Sequence, residues 1–383
     1  MPNSQSSSPV QNAAPYPDGP RLLGDIGGTK ARFALETGAG QIQSVQVVLC
    51  QDYPTLQAAI QAYLHDPAVV ALGGKRIRHA ALAMPNPVDG DQVRMTNYDW
   101  AFSIEAMRDA FGWHTLLILN DFTALAMALP RLPAQQKRQV GRGQARSDGV
   151  IGLIGAGTGL GVSGMIPTDD RWIALGSEGG HTSFSPRDER EMAILRYALK
   201  TYPHVSNERL LSGKGLELMY RALGEARGME VPALSAAEIS GQALSQQCPL
   251  CVEVLDTFCA MLGTVAADVA LTLGALGGIY IGSSIVPRFG DYFDRSPFRQ
   301  RFEDKGRFSS YLAQIPTYLI TDKNPVFLGV STILNDKLKA KSGVTPILET
   351  IDLARQRMSP SERRVADLVL QDPRVVLSSP IVE

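Results

Sequence analysis

Two carboxylates that follow apolar runs, and three glycine-bearing turns in a fixed order around one of them, are the residues of this chain best suited to chemistry. Asp25 stands in Gly24-Asp25-Ile26-Gly27-Gly28-Thr29, and Asp121 follows Leu116-Leu117-Ile118-Leu119-Asn120. The other two turns are Gly155-Ala156-Gly157-Thr158-Gly159 and Gly277-Gly278-Ile279-Tyr280-Ile281-Gly282. Glycine tolerates positive φ and lets backbone N–H groups come close to a ligand, so short Gly/Thr turns after apolar runs suit phosphate. In that reading the N–H groups of Gly28 and Thr29 face the β- and γ-phosphates of ATP, and Asp25 holds Mg²⁺ through water. Taken alone, the first turn is equally a plain hairpin.

Asp121 sits where a strand hands over to a helical pattern over residues 122–129, stopped by Pro130. A carboxylate there is well placed to accept the proton of a substrate hydroxyl as phosphate is transferred. It could also serve only as a helix N-cap. Downstream, Glu178 and His181 in Gly176-Ser177-Glu178-Gly179-Gly180-His181, and Glu208 in His204-Val205-Ser206-Asn207-Glu208-Arg209, supply acceptors and an imidazole suited to a ring of sugar hydroxyls. Glu208 is not a capping-box glutamate, because Arg209 stands three after Ser206. Together these residues read as an ATP-dependent kinase.

The elements that must position them are short. Residues 21–26 and 31–35 flank Gly27-Gly28-Thr29 as a β-hairpin, and residues 150–154 and 162–166 flank the second turn in the same way. A P-loop would need a longer glycine loop ending in Gly-Lys-Ser/Thr, and the chain has none. The second turn fails the dinucleotide register, because the third glycine would fall at Leu160 or Val162 and a strand follows instead of a helix. Four cysteines, at 50, 248, 251 and 259, are too few for a disulfide scaffold and favour a reducing cytoplasm. Cys248-Pro249-Leu250-Cys251 lacks a fourth ligand for zinc, so it is expected to be a plain helix entry.

With 383 residues, 44% hydrophobic and 20% charged, the chain is an ordinary globular protein, expected to have two domains. A net charge of −1 gives no electrostatic case for nucleic acid or an anionic membrane, and no uncharged apolar run reaches the ~18 residues of a span. Residues 1–20, rich in Ser, Pro, Asn and Gln, are expected to be a disordered tail.

From about residue 21 to residue 335 the chain resembles the bacterial ATP-dependent glucokinases of the actin, hexokinase and heat-shock ATPase superfamily. The three turns carry the resemblance, together with Leu119-Asn120-Asp121-Phe122-Thr123-Ala124, Glu178-Gly179-Gly180-His181, Leu211-Ser212-Gly213, Ile285-Val286-Pro287-Arg288 and Phe302-Glu303-Asp304-Lys305-Gly306-Arg307-Phe308. It implies an α/β, two-domain ribonuclease H-like fold that closes on glucose and MgATP in an interdomain cleft. The small domain would span 21–130, completed by about 322–340, and the large domain 131–321. It further implies Asp121 as catalytic base and Asn120, Asp121, Glu178, His181 and Glu208 as sugar ligands. Phosphate contacts would fall on Gly27, Gly28, Thr29, Gly157 and Thr158, and the adenosine motif on Gly277, Gly278 and the residues that continue from them. Ser283 and Ser284 stand where smaller residues, often glycines, are expected beside the nucleotide. Members of the family are commonly dimers, so a homodimer is expected, though no segment marks its interface.

The last forty residues fall outside that pattern. A helical pattern over 346–357 precedes Ser359-Pro360-Ser361-Glu362, a capping box with proline at the first helical position, and a second helix ends before Asp372-Pro373. Residues 358–367 resemble the opening of RpiR-type helix-turn-helix regulators of sugar metabolism. Residues 341–383 would then be the truncated start of such a domain. Six basic residues balance six acidic ones there, so DNA binding is expected only of a longer chain that completes the domain. The alternative to an enzyme is a glucose-sensing module that controls an attached regulator and turns over poorly.

Overall fold

In the computed structural model the described residues are 14–85, 90–95, 98–169, 171–322, 324–342, 355 and 358–371. Two compact units divide the chain, residues 1–330 and 331–383.

The first unit holds two main sheets. Strands β1 (Arg21–Ile26), β2 (Lys30–Glu36), β3 (Ile42–Leu49), β4 (His79–Met84) and β7 (Thr115–Asn120) form one sheet in the order β3-β2-β1-β4-β7. A short ribbon, β5 (Gln92–Arg94) with β6 (Ala101–Ser103), stands apart from it. The second sheet contains β8 (Lys137–Val140), β9 (Ile151–Ala156), β10 (Leu160–Pro167), β11 (Trp172–Leu175), β12 (Gly278–Ile281) and β13 (Thr317–Ile320), ordered β11-β10-β9-β12-β13-β8.

The two sheets repeat one plan. Each has an antiparallel three-strand meander whose first strand pairs in parallel with a fourth strand, which in turn pairs in parallel with a fifth. Strand β8 is the addition, antiparallel at the edge beside β13. The parallel strands read as unbroken apolar runs because both faces are covered: β4 is buried from Ala80 to Met84 and β9 throughout. In β1 every residue except Asp25 is buried, so the chain sets this carboxylate at the half-open end of a strand whose middle, Leu22 to Gly24, carries no polar side chain. By contrast β3, at a sheet edge, alternates exposed and half-buried residues.

One core cluster, with Phe33, Tyr63 and Leu82, lies at the first sheet, and a larger one, with Phe258, Phe298 and Phe302, lies at the second. The helix Pro249–Leu273 runs through that larger core. It is long and apolar enough to cross a membrane, yet most of its apolar stretch is buried inside the protein. Cys248 begins it as expected of a plain helix entry, its thiol accepting the Cys251 N–H at 3.3 Å. Among the described residues no cluster of three or more His, Cys, Asp or Glu could hold a metal, and all four cysteines are free.

The expected disordered tail does not extend to residue 20. Residues 1–13 of that expected tail lie outside the described residues, but 14–20 are clasped to the first sheet: the Tyr16 N–H donates to the Thr37 carbonyl at 3.0 Å, and Asp18 pairs with His79 at 2.9 Å. A short polar segment still orders when strand edges supply partners for its backbone.

In the second unit, the helix Pro360–Gln371 opens with the predicted capping box. The Ser359 N–H donates to Glu362 Oε2 at 2.8 Å, and the Glu362 N–H donates to Ser359 Oγ at 3.4 Å. The helix expected over 346–357 lies outside the described residues, apart from residue 355.

Candidate active site

Both carboxylates stand at the carboxyl ends of parallel strands, where ligands of open α/β sheets collect. Asp25 on β1 is level with Ala83 on β4, and Met84 on β4 is level with Asn120 on β7. The Asn120 side chain, not that of Asp121, caps the following helix, Asp121–Ala128: its Oδ1 accepts the Thr123 N–H at 3.0 Å. Asp121 is thereby released from the capping role that its position also allowed. Its Oδ1 accepts the Phe122 N–H at 2.8 Å. Burial pushes its carboxyl up to about 6; that hydrogen bond opposes the rise, while the nearby charges of Asp25 and Glu178 add to it. A base titrating near neutrality is the kind that moves protons at working pH.

Asp25 is gripped by a residue that the sequence reading missed. Arg32, opposite it on β2, donates from Nη1 to Asp25 Oδ2 at 2.7 Å. Burial still outweighs that guanidinium and raises the Asp25 carboxyl above its ordinary value. An antiparallel register that places an arginine opposite an acid was legible only after the strand limits were known.

The first turn is the expected hairpin, tightened by the Gly27 N–H donating to the Lys30 carbonyl at 2.9 Å. Buried Cys50 supports it from beneath, its thiol donating to the Gly27 carbonyl at 3.3 Å. The N–H groups of Gly28 and Thr29 have no acceptor among the described residues, and the same holds for Thr158 and Gly159 in the second turn. Both turns are therefore anion-ready in the sense of a backbone nest.

Glycines 155 and 161 serve another purpose. A Cβ on either would sit 2.5 Å from the ring of Phe122, so the two glycines form a seat that lets the first residues of the Asp121 helix lie against the β9-β10 hairpin. This seat puts the candidate base beside the second turn.

Glu208, at the start of the short helix Asn207–Leu210, accepts the Leu160 N–H at 3.0 Å and packs on Gly159, where a Cβ would collide with its carboxylate. His181 Nε2 lies 3.7 Å from Glu208 Oε1 and 3.9 Å from Glu178 Oε2. Side-chain exposure falls from 74% at Glu178 through 59% at His181 to 33% at Glu208, which grades the row from an open end to one anchored on the second turn.

A set of ion pairs around buried Glu191 ties down the chain that follows His181. Glu191, almost fully buried, accepts the Arg187 N–H at 2.7 Å and Arg301 Nη1 at 2.7 Å, while Arg187 Nη2 reaches Asp304 at 2.8 Å. Lys305 pairs with Asp268 on the long core helix. Within the Phe302-Glu303-Asp304-Lys305 string, Asp304 thus ties to Arg187 after the polar loop, and Lys305 to the long core helix.

Gly277 and Gly278 are not brought to this cluster. Strand β12 runs parallel to β9, and its start, Gly278, is level with Ile151, whereas its far end is followed by Gly282, Ser283 and Ser284 beside the second turn. Four residues of strand separate the two ends by roughly 13 Å. Packing explains the two glycines instead: a Cβ on Gly277 would meet the Gly149 carbonyl at 2.5 Å, and Gly278 has φ +106 beside Pro316. The structure thus assembles Asp25, Asn120, Asp121, Glu178, His181, Glu208 and the two hairpin turns, and leaves the third glycine pair at the other end of the central strand β12.

A sequence model of the glucokinase family matches residues 22–337. The "Bifunctional protein glk" of Burkholderia pseudomallei is 55% identical over 374 residues, which is 97% of this chain and 57% of that protein. A Chromobacterium violaceum "Glucokinase" is 54% identical over 328 residues, 86% of this chain and 93% of that protein. The chain thus spans just over half the length of its bifunctional relatives. Among solved structures, a glucokinase from an Antarctic psychrotroph is 36% identical with a TM-score of 0.74, covering 83% of this chain and 99% of that one. A ROK family glucokinase from Streptomyces griseus, in complex with glucose and AMPPNP, shares the fold at 19% identity and a TM-score of 0.55, over 82% of this chain and 99% of its own.

Proposed function

The chain belongs to the glucokinase family, and on that premise we propose that it transfers the γ-phosphate of ATP to the 6-hydroxyl of glucose, with Asp121 as general base. The observation that carries this is Asp121 itself: a carboxylate freed from capping by Asn120, raised to about 6, and close enough to Asp25 and Glu178 to respond to their charge.

Phosphoryl transfer has a loose transition state, so the protein's work is to place the hydroxyl in line, neutralise phosphate charge and take up a proton late. Glu178, His181 and Glu208 would accept and donate hydrogen bonds around the sugar ring, with the amide N–H₂ of Asn120 turned to the same task because its oxygen is spent on the cap. The unpaired N–H groups of Gly28, Thr29 and Thr158 would take the phosphate oxygens. Asp121 would then accept the proton of the attacking hydroxyl, a contribution of ~10²–10⁴ in rate.

Mg²⁺ fits the donor set as an ion that arrives with the nucleotide. Among the described residues there is no protein cage for it, only Asp25, and Mg²⁺ is commonly held by one or two carboxylates plus substrate phosphates. Bound there through water, it would supply charge neutralisation to the transferring phosphate.

The same reading places the protein in the cytoplasm, where ATP is available and free thiols persist, and as a homodimer, which light scattering would test. It also takes residues 341 onward as the opening of an RpiR-type regulator region. The Ser359 capping box and the bifunctional naming of the relatives support that assignment. The direct test is ADP and glucose 6-phosphate formation from MgATP and glucose. Stoichiometric, glucose-dependent production of both is expected; glucose binding without turnover would replace the enzyme with a sensor.

A further inference from the structure

The departure at Ser283 and Ser284 has a structural content that glycine could not supply. Ser283 Oγ donates to the Ala156 carbonyl at the end of β9 and accepts the N–H groups of Ile285 and Val286 at 3.1 Å each. One hydroxyl therefore pins the loop after β12 to the strand that leads into the second turn. The pinned loop presents the next residue to that turn: an added Cβ on Gly157 would lie 2.9 Å from Ser284 Oγ. Ser284 is exposed, and its hydroxyl has no hydrogen-bond partner among the described residues. Within the turn it faces, the Thr158 and Gly159 N–H groups likewise have no acceptor among the described residues.

We propose that the Ser284 hydroxyl is a nucleotide-phosphate donor, completing with the Thr158 and Gly159 N–H groups a three-donor cradle that Ser283 holds in register. This rests on the reading of the chain as an ATP-dependent kinase and adds a specific ligand to it. A hydroxyl beside two backbone donors matches the acceptor-rich oxygens of a di- or triphosphate, and hydrogen bonds to charged groups are the stronger kind. Gly277 and Gly278, at the other end of β12, do not take part.

The test is titration calorimetry of the whole chain with ADP and with adenosine, alongside steady-state kinetics. Ser284→Ala should weaken ADP at least fivefold and raise KM for MgATP by a similar factor. Adenosine affinity and KM for glucose should stay within twofold, and Ser284→Thr, which keeps the hydroxyl, should recover most of the ADP affinity. ADP affinity within twofold of wild type in Ser284→Ala would overturn the proposal alone, as would an equal loss for adenosine. A wild-type chain that binds no ADP would overturn it together with the kinase reading beneath it.

Discussion

Asp121 concentrates the chemistry of the site in one carboxyl, and its titration has two consequences of opposite use. As a base it must be ionised, so kcat/KM for glucose should fall tenfold per unit as pH drops below about 6, the value to which burial raises it. Activity that holds constant down to pH 5 would exclude it. For stability the sign is reversed. A carboxyl raised in the folded state binds its proton more tightly there than when unfolded, so its ionisation costs stability as pH rises from the ordinary 3.8 through about 6. Asp121→Asn should therefore stabilise the protein at pH 7.5 by about 2 kcal/mol after allowance for solvent screening, and by nothing below pH 4. Denaturant titrations at the two pH values check this. The identity of Asp121 was legible in the sequence because an acid after an apolar run is a local signal. Its release from capping was not, since Asn120 and Asp121 compete for one helix end and only the folded geometry shows which wins.

At the level of elements, the two glycine hairpins were readable from alternating strand and turn residues, yet the string Gly155 to Gly161 combines two jobs that look alike in sequence. Gly157 to Gly159 shape the turn, while Gly155 and Gly161 clear space for the Phe122 ring. Gly161→Ala is the cleaner probe, because the nearest atoms to its new Cβ all belong to that one ring, whereas on Gly155 the Cβ would also strike the Gly282 carbonyl. Displacing Phe122 should shift Asp121, lowering kcat about tenfold with a loss of about 1–3 kcal/mol in stability. Unchanged kcat would show that the seat does not position the base. The third glycine pair marks where sequence reading failed: glycine is selected equally for ligand approach and for close backbone packing, and Gly277 beside Gly149 is the second case. The Arg32 partner of Asp25 went unread for a related reason, since cross-strand pairs depend on register rather than on spacing.

For the whole molecule, two sheets of one plan each contribute a hairpin turn, and the first adds the acids at its strand ends. The two hairpins follow from strand-like runs punctuated by glycine, and the α/β class came from the family resemblance; the third strand of each meander and the match of sheet orders required pairing that no single segment encodes. Closure of the two sheet-bearing regions on glucose would exclude water and suppress ATP hydrolysis. Small-angle scattering should then show a smaller radius of gyration with glucose than without, and an unchanged value would count against closure. The family match ends at residue 337, so a chain ending at Ser342 should keep kcat within twofold of the 383-residue protein. A larger fall would tie the last segment to catalysis.

Glucose-dependent ADP formation and glucose binding, measured in the wild type and in Asp121→Asn, decide whether Asp121 is the base of a glucose kinase. Robust wild-type turnover should fall about 100-fold or more in the variant while glucose affinity is retained. Turnover within a few-fold of wild type in Asp121→Asn would contradict that role.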